Sequence, residues 1–586
     1  MIDTPLAKPP DRPRILRYGL DPQKDAWLLH FMTENNLEHS IDPEKNASPE
    51  QLRFMISLAP DQIYVPCTDT MFAHLVGEET DPTVLSEYAI HLERVCRLID
   101  AFVPDAYTRR KIRTLCELKY RQALVNPTLI PSRLGKRLLT IFLTQSGLDD
   151  PHRERKRTLN RRAFARIQDE AVKAMILAPP RDMPVGGNIA SLRHELDCLE
   201  LARLLALGTQ PAIWEGEDWR PDAEALERDV AGLPEDFGHL TEMLDPRRRG
   251  TLKILFLPDI SGGLLFDLLA ARTLLRLGHR VILALKDGFY FDAPTIWDAD
   301  GDPILDAALA GTHLLDEPRM AKNALLQAIR EHPLTVISDG TRERLNLCRV
   351  SVTFSRAWKE ADLILAKGAL NHRRLIGTSY QFTRDVLAFC RDQAGAFRLD
   401  FKPRAQGARS FTEAEITARA EEIISGLRAA RAAGKAVLFY SAIIGSIPGQ
   451  TQTAIALVTA FVKHLRERMP GTSIINPAEH FEEGMDADDL MFMWERVQRS
   501  GLIEVWRFQT HFDIEKSFTL IGKKMPPAWA GKDATFSTGC TKEMHIALSM
   551  QARQPELQII GPDPEKFFRR REYGVGKFCD AGIGCR

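Results

Sequence analysis

Between about Lys24 and Leu207 apolar residues recur at three- and four-residue spacing, as in SEYAIHLERVCRLIDAF and GKRLLTIFLTQSGL, which is the period of amphipathic helices. Pro104, Pro127, Pro131 and the APPRDMPVGGN stretch from Ala178 to Asn188 should end helices and turn the chain. After the polar segment Asp245 to Thr251 the texture changes. LKILFLP and HRVILALK are short continuous apolar runs that read as buried strands, LLFDLLAARTLLRLG between them reads as a helix, and LTVIS and ADLILAK follow as later strands. Such βαβ units place ligands beyond the carboxyl ends of the strands, where Asp259 and the Lys367 loop fall. Around Pro403 to Gly407 the chain turns polar again. A helix beginning near Thr412 then leads into KAVLFYSA, TSIINP, LIEVWRF and LQIIGP as strands, with helices after Gln450, Asp486 and Thr541. The expected class is α/β: a mainly helical N-terminal region over 1–245, a Rossmann-like three-layer α/β/α domain over 246–405, and an additional C-terminal α/β unit over 406–586.

Length supports this division, because 586 residues exceed what one hydrophobic core organises. The balance of 44% hydrophobic and 27% charged residues is that of an ordinary globular protein. The N-terminal MIDTPLAKPPDRPR lacks the pattern of a secretion signal, and the apolar stretch from Leu252 to Ala271 is interrupted by Asp259, Asp267 and glycines; no membrane span and a cytoplasmic location are expected. Nine cysteines, at 67, 96, 116, 198, 348, 390, 540, 579 and 585, form no CxxC pair, which argues against a disulfide framework and against thiolate zinc sites. The net charge of −1 hides an asymmetry, since Arg109 to Arg166 holds sixteen Lys/Arg against four Asp/Glu. That surplus, densest in HRERKRTLNRR, makes nucleic acid an alternative partner, without a recognisable reading motif and not favoured over a solvated helical face.

Candidate chemistry sits at the strand ends. LFLPDISGG puts Asp259 just past one buried strand, and KDGFYFDAPT puts Asp292 past the next, so the two carboxylates offer a hard-ligand pair for a divalent cation. Lys367, leaving ADLILAK, is placed to neutralise a phosphate. Asp339 in VISDGT reads either as a substrate contact or as a turn residue before Gly340. Weaker signals are the loop carrying Gly445 and Gly449, Cys540 at an apparent helix start, the acidic run His480 to Asp489, and His372.

The order ILFLPDISGG, K-x5-DAPT, VISDGT and ADLILAKGALN resembles the damage-control phosphatase or acidic-residue methyltransferase-like family, the domain of unknown function eighty-nine, over about residues 250–395. The resemblance implies hydrolysis of small phosphorylated metabolites, such as sugar phosphates or cofactor-derived phosphate monoesters, with Mn, Mg, Co or Ni. It makes Asp259 and Asp292 the metal ligands and Lys367 a catalytic cation. Ala366 to Asn371 stands at the family's Ser-Lys-Gly-Gln-x-Asn segment, which assigns Asn371 and Gly368 to substrate contacts, with Asp339 and Ser261 beside them. Ile260 stands where the family has Asn and Gly263 where it has Glu, so a carbonyl ligand and a carboxylate are missing; Ser261 offers a hydroxyl in partial replacement. The alternative carried with it is a catalytically inactive relative that binds a metabolite or nucleic acid. A methyltransferase role lacks a GxGxxG-like fingerprint.

Overall fold

A computed structural model describes residues 19, 21–37, 49–59, 62–76, 81–179, 188–231, 234–408, 411–447, 449–480 and 484–569. The chain divides into two compact units, Met1–Ala408 and Arg409–Arg586. The helical region expected over 1–245 and the α/β domain expected over 246–405 lie in the first of these.

The centre of the first unit is a seven-stranded sheet in the order β3-β4-β2-β1-β5-β6-β7, built from β1 (Lys253–Leu257), β2 (Arg280–Leu285), β3 (His313–Leu315), β4 (Leu334–Ser338), β5 (Leu363–Lys367), β6 (Asp385–Arg391) and β7 (Phe397–Lys402). All neighbours are parallel except β6 and β7. Successive residues of a strand face opposite sides, so β1 feeds two cores. Ile254 and Phe256 join a cluster with the helices Gly263–Arg276 and Ile189–Gly208. Leu255 and Leu257 join another with Leu325, Phe354 and Trp358, from the helices Lys322–Glu331 and Val352–Glu360. Helices on both faces make the expected α/β/α layering. A third core joins the helices Pro82–Phe102, Ala106–Val125 and Pro131–Ser146 around Tyr88, Ile112, Leu138 and Phe142, with Phe289 from the segment after β2.

The sequence pattern did not anticipate β3, β6 and β7. FRLDFK is a short alternating run, and β7 returns antiparallel to β6 through a turn in which Asp392 Oδ1 accepts from the amides of Ala394 and Ala396. This pair closes one edge of the sheet.

The basic surplus is largely engaged within the unit. Lys156 lies 2.5 Å from both Asp150 and Asp298, Arg155 pairs with Asp292 and Glu215, and Lys136 lies 2.5 Å from Glu343. Arg113, Arg137 and Arg162 pair with Asp100, Glu34 and Glu217, while Arg166 donates to the carbonyls of Gly216 and Glu217. The helix Arg153–Gln168 therefore packs against the helices Ala212–Glu215 and Gly263–Arg276 instead of presenting one cationic face, and nucleic-acid binding gains no support. Among the described residues no helix is long and apolar enough to cross a membrane.

The second unit holds four parallel strands in the order β11-β10-β8-β9, with β8 (Ala436–Ser441), β9 (Thr472–Ile475), β10 (Val505–Phe508) and β11 (Gln558–Ile560). Thr412 opens its first helix, Glu413–Ala432, with a reciprocal capping box to Glu415. The expected helices after Gln450, Asp486 and Thr541 are Thr451–Arg468, Ala487–Gln498 and Thr538–Gln551, the last starting four residues early because Ser537 caps it. Not anticipated is His511–Leu520, although Thr510 and Asp513 form a capping box there.

Candidate functional site

The sheet order reverses at β1, whose neighbours are β2 on one side and β5 on the other, so the crevice beyond β1 and β5 is a topological switch point. Asp259 follows β1 and Lys367 ends β5. Lys367 Nζ lies 3.3 Å from Asp259 Oδ1 and 2.8 Å from Asp267 Oδ2, with the lysine side chain fully buried and that of Asp259 29% exposed. Burial opposes the lysine's charge, but the two carboxylates outweigh it and hold its pKa above the ordinary value. Asp267 goes the other way. Burial, reinforced by the charge of Asp259, raises it to about 7 against the pull of Lys367. The triad near neutrality is thus a fully buried Lys367 ammonium beside a part-exposed Asp259, with the buried Asp267 holding or losing one proton.

Two glycines make room for this arrangement. Gly368 has φ +89°, and a Cβ there would overlap Asp259 Oδ2; its amide donates to the Phe389 carbonyl at 2.8 Å. At Gly263 a Cβ would sit 2.5 Å from Lys367 Nζ, so the ammonium occupies the space that a side chain at 263 would enter. Around the triad several buried polar atoms lack a hydrogen-bond partner: Asp259 Oδ1, Asp267 Oδ1, Ser261 Oγ and Trp214 Nε1.

The remaining sequence-derived candidates are placed as follows. The main chain of Asp292 adjoins the Asp259 loop, its carbonyl accepting from the Ser261 amide at 2.8 Å. Its carboxylate, however, is bound by His152 Nδ1 at 2.7 Å and by Arg155 Nε at 2.9 Å. Burial would raise Asp292, yet those hydrogen bonds and charges outweigh it and hold the carboxyl below its ordinary range. Asn371 Nδ2 donates to the Lys367 carbonyl at 2.8 Å and the Leu257 carbonyl at 3.4 Å, lacing the ends of β5 and β1 together. Asp339, buried after β4, accepts from Lys286 Nζ at 2.6 Å and from the amide and hydroxyl of Thr341 at 2.7 and 2.9 Å; burial still keeps its pKa above the usual value. Its side chain is a satisfied turn and ion-pair partner.

The resemblance to the damage-control phosphatases implies a divalent cation at these strand ends. The chemistry of the side chains there does not fit. Lys367 fills the cation position between Asp259 and Asp267, Asp292 is held by Arg155 and His152, and Ile260 and Gly263 contribute no donor. Among the described residues no group of three or more His, Cys, Asp or Glu is arranged around a common point where such an ion would sit.

Sequence reasoning missed Trp214, His152, Arg155 and Lys286. His152 and Arg155 fall in the HRERKRTLNRR run, whose charge drew attention for another reason, and Asn160 of the same run accepts from the Gly262 amide at 2.7 Å. The other signals prove local. Cys540 is buried and its Sγ donates to the Ala442 carbonyl at 3.4 Å, His372 pairs with Asp400 at 2.8 Å, and Asp486 caps a helix. Residues 481–483 of the acidic run, Pro448, Cys579 and Cys585 lie outside the described residues.

A cleft of about 470 Å³ opens over the segments that follow β2 and β4. Lys136, Thr140, Thr341, Arg342 and Arg349 line it together with Asp287 and Glu343. Its volume is that of a small-molecule site.

Comparison with curated proteins gives no match. Among solved structures, a DUF89 family protein from Pyrococcus horikoshii shares 21% identity with the chain, covering 54% of it and 96% of that protein, with a TM-score of 0.35. Residues 213–392 match the family model described as damage-control phosphatase ARMT1-like domain. That stretch, less than a third of the chain, holds Asp259, Asp267, Asp292, Asp339 and Lys367, and it is by this domain that the protein resembles the damage-control phosphatases.

Proposed function

We propose that the carboxyl edge of the seven-stranded sheet binds a small phosphorylated metabolite, and that this chain does not hydrolyse it by the divalent-metal route of the family it resembles. The domain match supports a phosphatase-type or related function in general. The observation that carries the finer reading is the state of the strand-end carboxylates: Asp259 is spent on Lys367 and Asp292 on Arg155 and His152, while cations line the adjoining cleft. A phosphate ester needs donors and compensating charge; Arg349 lines the cleft, and Lys136 and Arg342, paired there with Glu343 and Asp287, would exchange those partners for the ester.

The test is phosphate release from a panel of sugar phosphates and phosphorylated cofactor fragments, with Mg, Mn, Co or Ni and then with chelator. The expected result is no metal-dependent release, together with a rise in melting temperature for the panel members that bind. Metal-dependent turnover that disappears in Asp259→Ala would falsify this reading and restore the metal-dependent phosphatase.

A further inference from the structure

On the far flank of the short helix Ala369–Leu375 lies a second, smaller cavity of about 70 Å³. Asn371 is turned toward β1 and β5, whereas Leu370, Arg373 and Arg374, at i, i+3 and i+4, line this cavity. Arg344, from the segment after β4, enters from the side, and Thr68, Ser132 and Glu87 complete the polar lining. Three guanidinium groups thus meet one carboxylate.

None of these arginines is paired with an acid among the described residues. Arg374 is buried and donates only to Ser132 Oγ at 2.8 Å, and Arg344 Nε is buried without a partner. The helix Pro82–Phe102 contributes Glu87 to the lining, and His91 and Arg94 follow it at helical spacing, with His91 close enough to feel the charges of Arg344 and Arg374. His91 is 4% exposed and its Nε2 is also unpartnered. Burial first, and then the charges of Arg344, Arg94 and Arg374, push the His91 ring down to about 3, so the imidazole stays neutral and adds no counter-charge. Burial and Arg344 likewise lower Arg374 and Arg94. Like charges gathered in a partly desolvated space are unfavourable unless an anion sits among them.

We infer that this cavity is an anion subsite that takes the phosphate group of a phosphorylated ligand. The forked guanidinium groups of Arg344, Arg373 and Arg374 match tetrahedral phosphate oxygens, with Thr68 and Ser132 as hydroxyl donors. The segment after β4 contributes to both hollows, Arg344 to the cavity and Arg342 and Arg349 to the larger cleft, and the body of the ligand is assigned to the cleft. This deepens the proposed function and rests on it for the ligand's body, though not for the anion.

Inorganic phosphate, titrated into the full chain by calorimetry at low ionic strength, tests the subsite alone. Wild type should bind phosphate and melt at a higher temperature in its presence. Arg344→Gln and Arg373→Gln should each weaken binding at least tenfold while melting no lower than wild type without phosphate, since removing one charge relieves repulsion. Arg373 is exposed, so that variant keeps the test open if Arg344→Gln does not fold. Absence of phosphate binding to wild type, or binding undiminished in both variants, would overturn the inference. Phosphate binding lost in the variants, with no phosphorylated metabolite bound, would leave the subsite standing and remove the proposed function.

Discussion

Lys367 governs the strand-end site, because the buried Asp267 and the part-exposed Asp259 share its charge. Replacing it with Met leaves Asp259 and Asp267 without compensation, which costs about 3–5 kcal/mol by the behaviour of broken buried ion pairs. Urea unfolding should register that loss, and Lys367→Met combined with Asp267→Leu should recover most of it; a single variant as stable as wild type would contradict the pairing. At this scale the sequence was partly informative. Asp259 and Lys367 were visible because each ends an apolar run of strand character. Asp267 was visible as a helical residue that keeps the Phe-Asp position of the family the chain resembles, yet nothing in the local sequence joins it to a lysine 100 positions away. The partners of Asp292 come from 140 and 137 residues earlier, so the apparent metal ligand could be read while the groups that hold it could not.

Elements follow from periodicity wherever one face is buried, and the crossing of two N-terminal helices shows how tightly. Gly135 of Pro131–Ser146 lies against the His91 ring of Pro82–Phe102, where any Cβ would overlap the imidazole. The neutral ring has a consequence for pH. Its folded pKa of about 3 is below the ordinary 6.5, so the unfolded chain takes up a proton in that interval and the folded chain does not. Stability supplied by the neutral ring is present above about pH 6.5 and is lost as pH falls from there toward 3. Melting temperatures measured from pH 7 to pH 5 should fall less steeply in His91→Gln than in wild type; parallel slopes would contradict a buried neutral ring. Strands β1, β2, β4 and β5 and those of the second unit were legible as apolar runs. The pair β6 and β7 was not, because an alternating edge strand such as FRLDFK resembles an exposed polar segment until its partner is known.

For the whole molecule, the α/β class and the separateness of the C-terminal portion could be read from changes of texture along the chain. That the helical N-terminal region shares a unit with the sheet could not, since it depends on contacts such as those of Ile189–Gly208 with Gly263–Arg276. Those long-range contacts also carry the proposed function, because they bring Lys136 to Glu343 and His152 to Asp292. Recognition of a phosphate ester at this edge without a metal is the central property to test. The most direct measurement is a calorimetric titration of a sugar phosphate that stabilises the chain, carried out in excess chelator and again with Mn. Equal affinity in both conditions, unchanged in Asp259→Ala, is the predicted result. Binding that appears only with Mn and vanishes in Asp259→Ala would contradict the account.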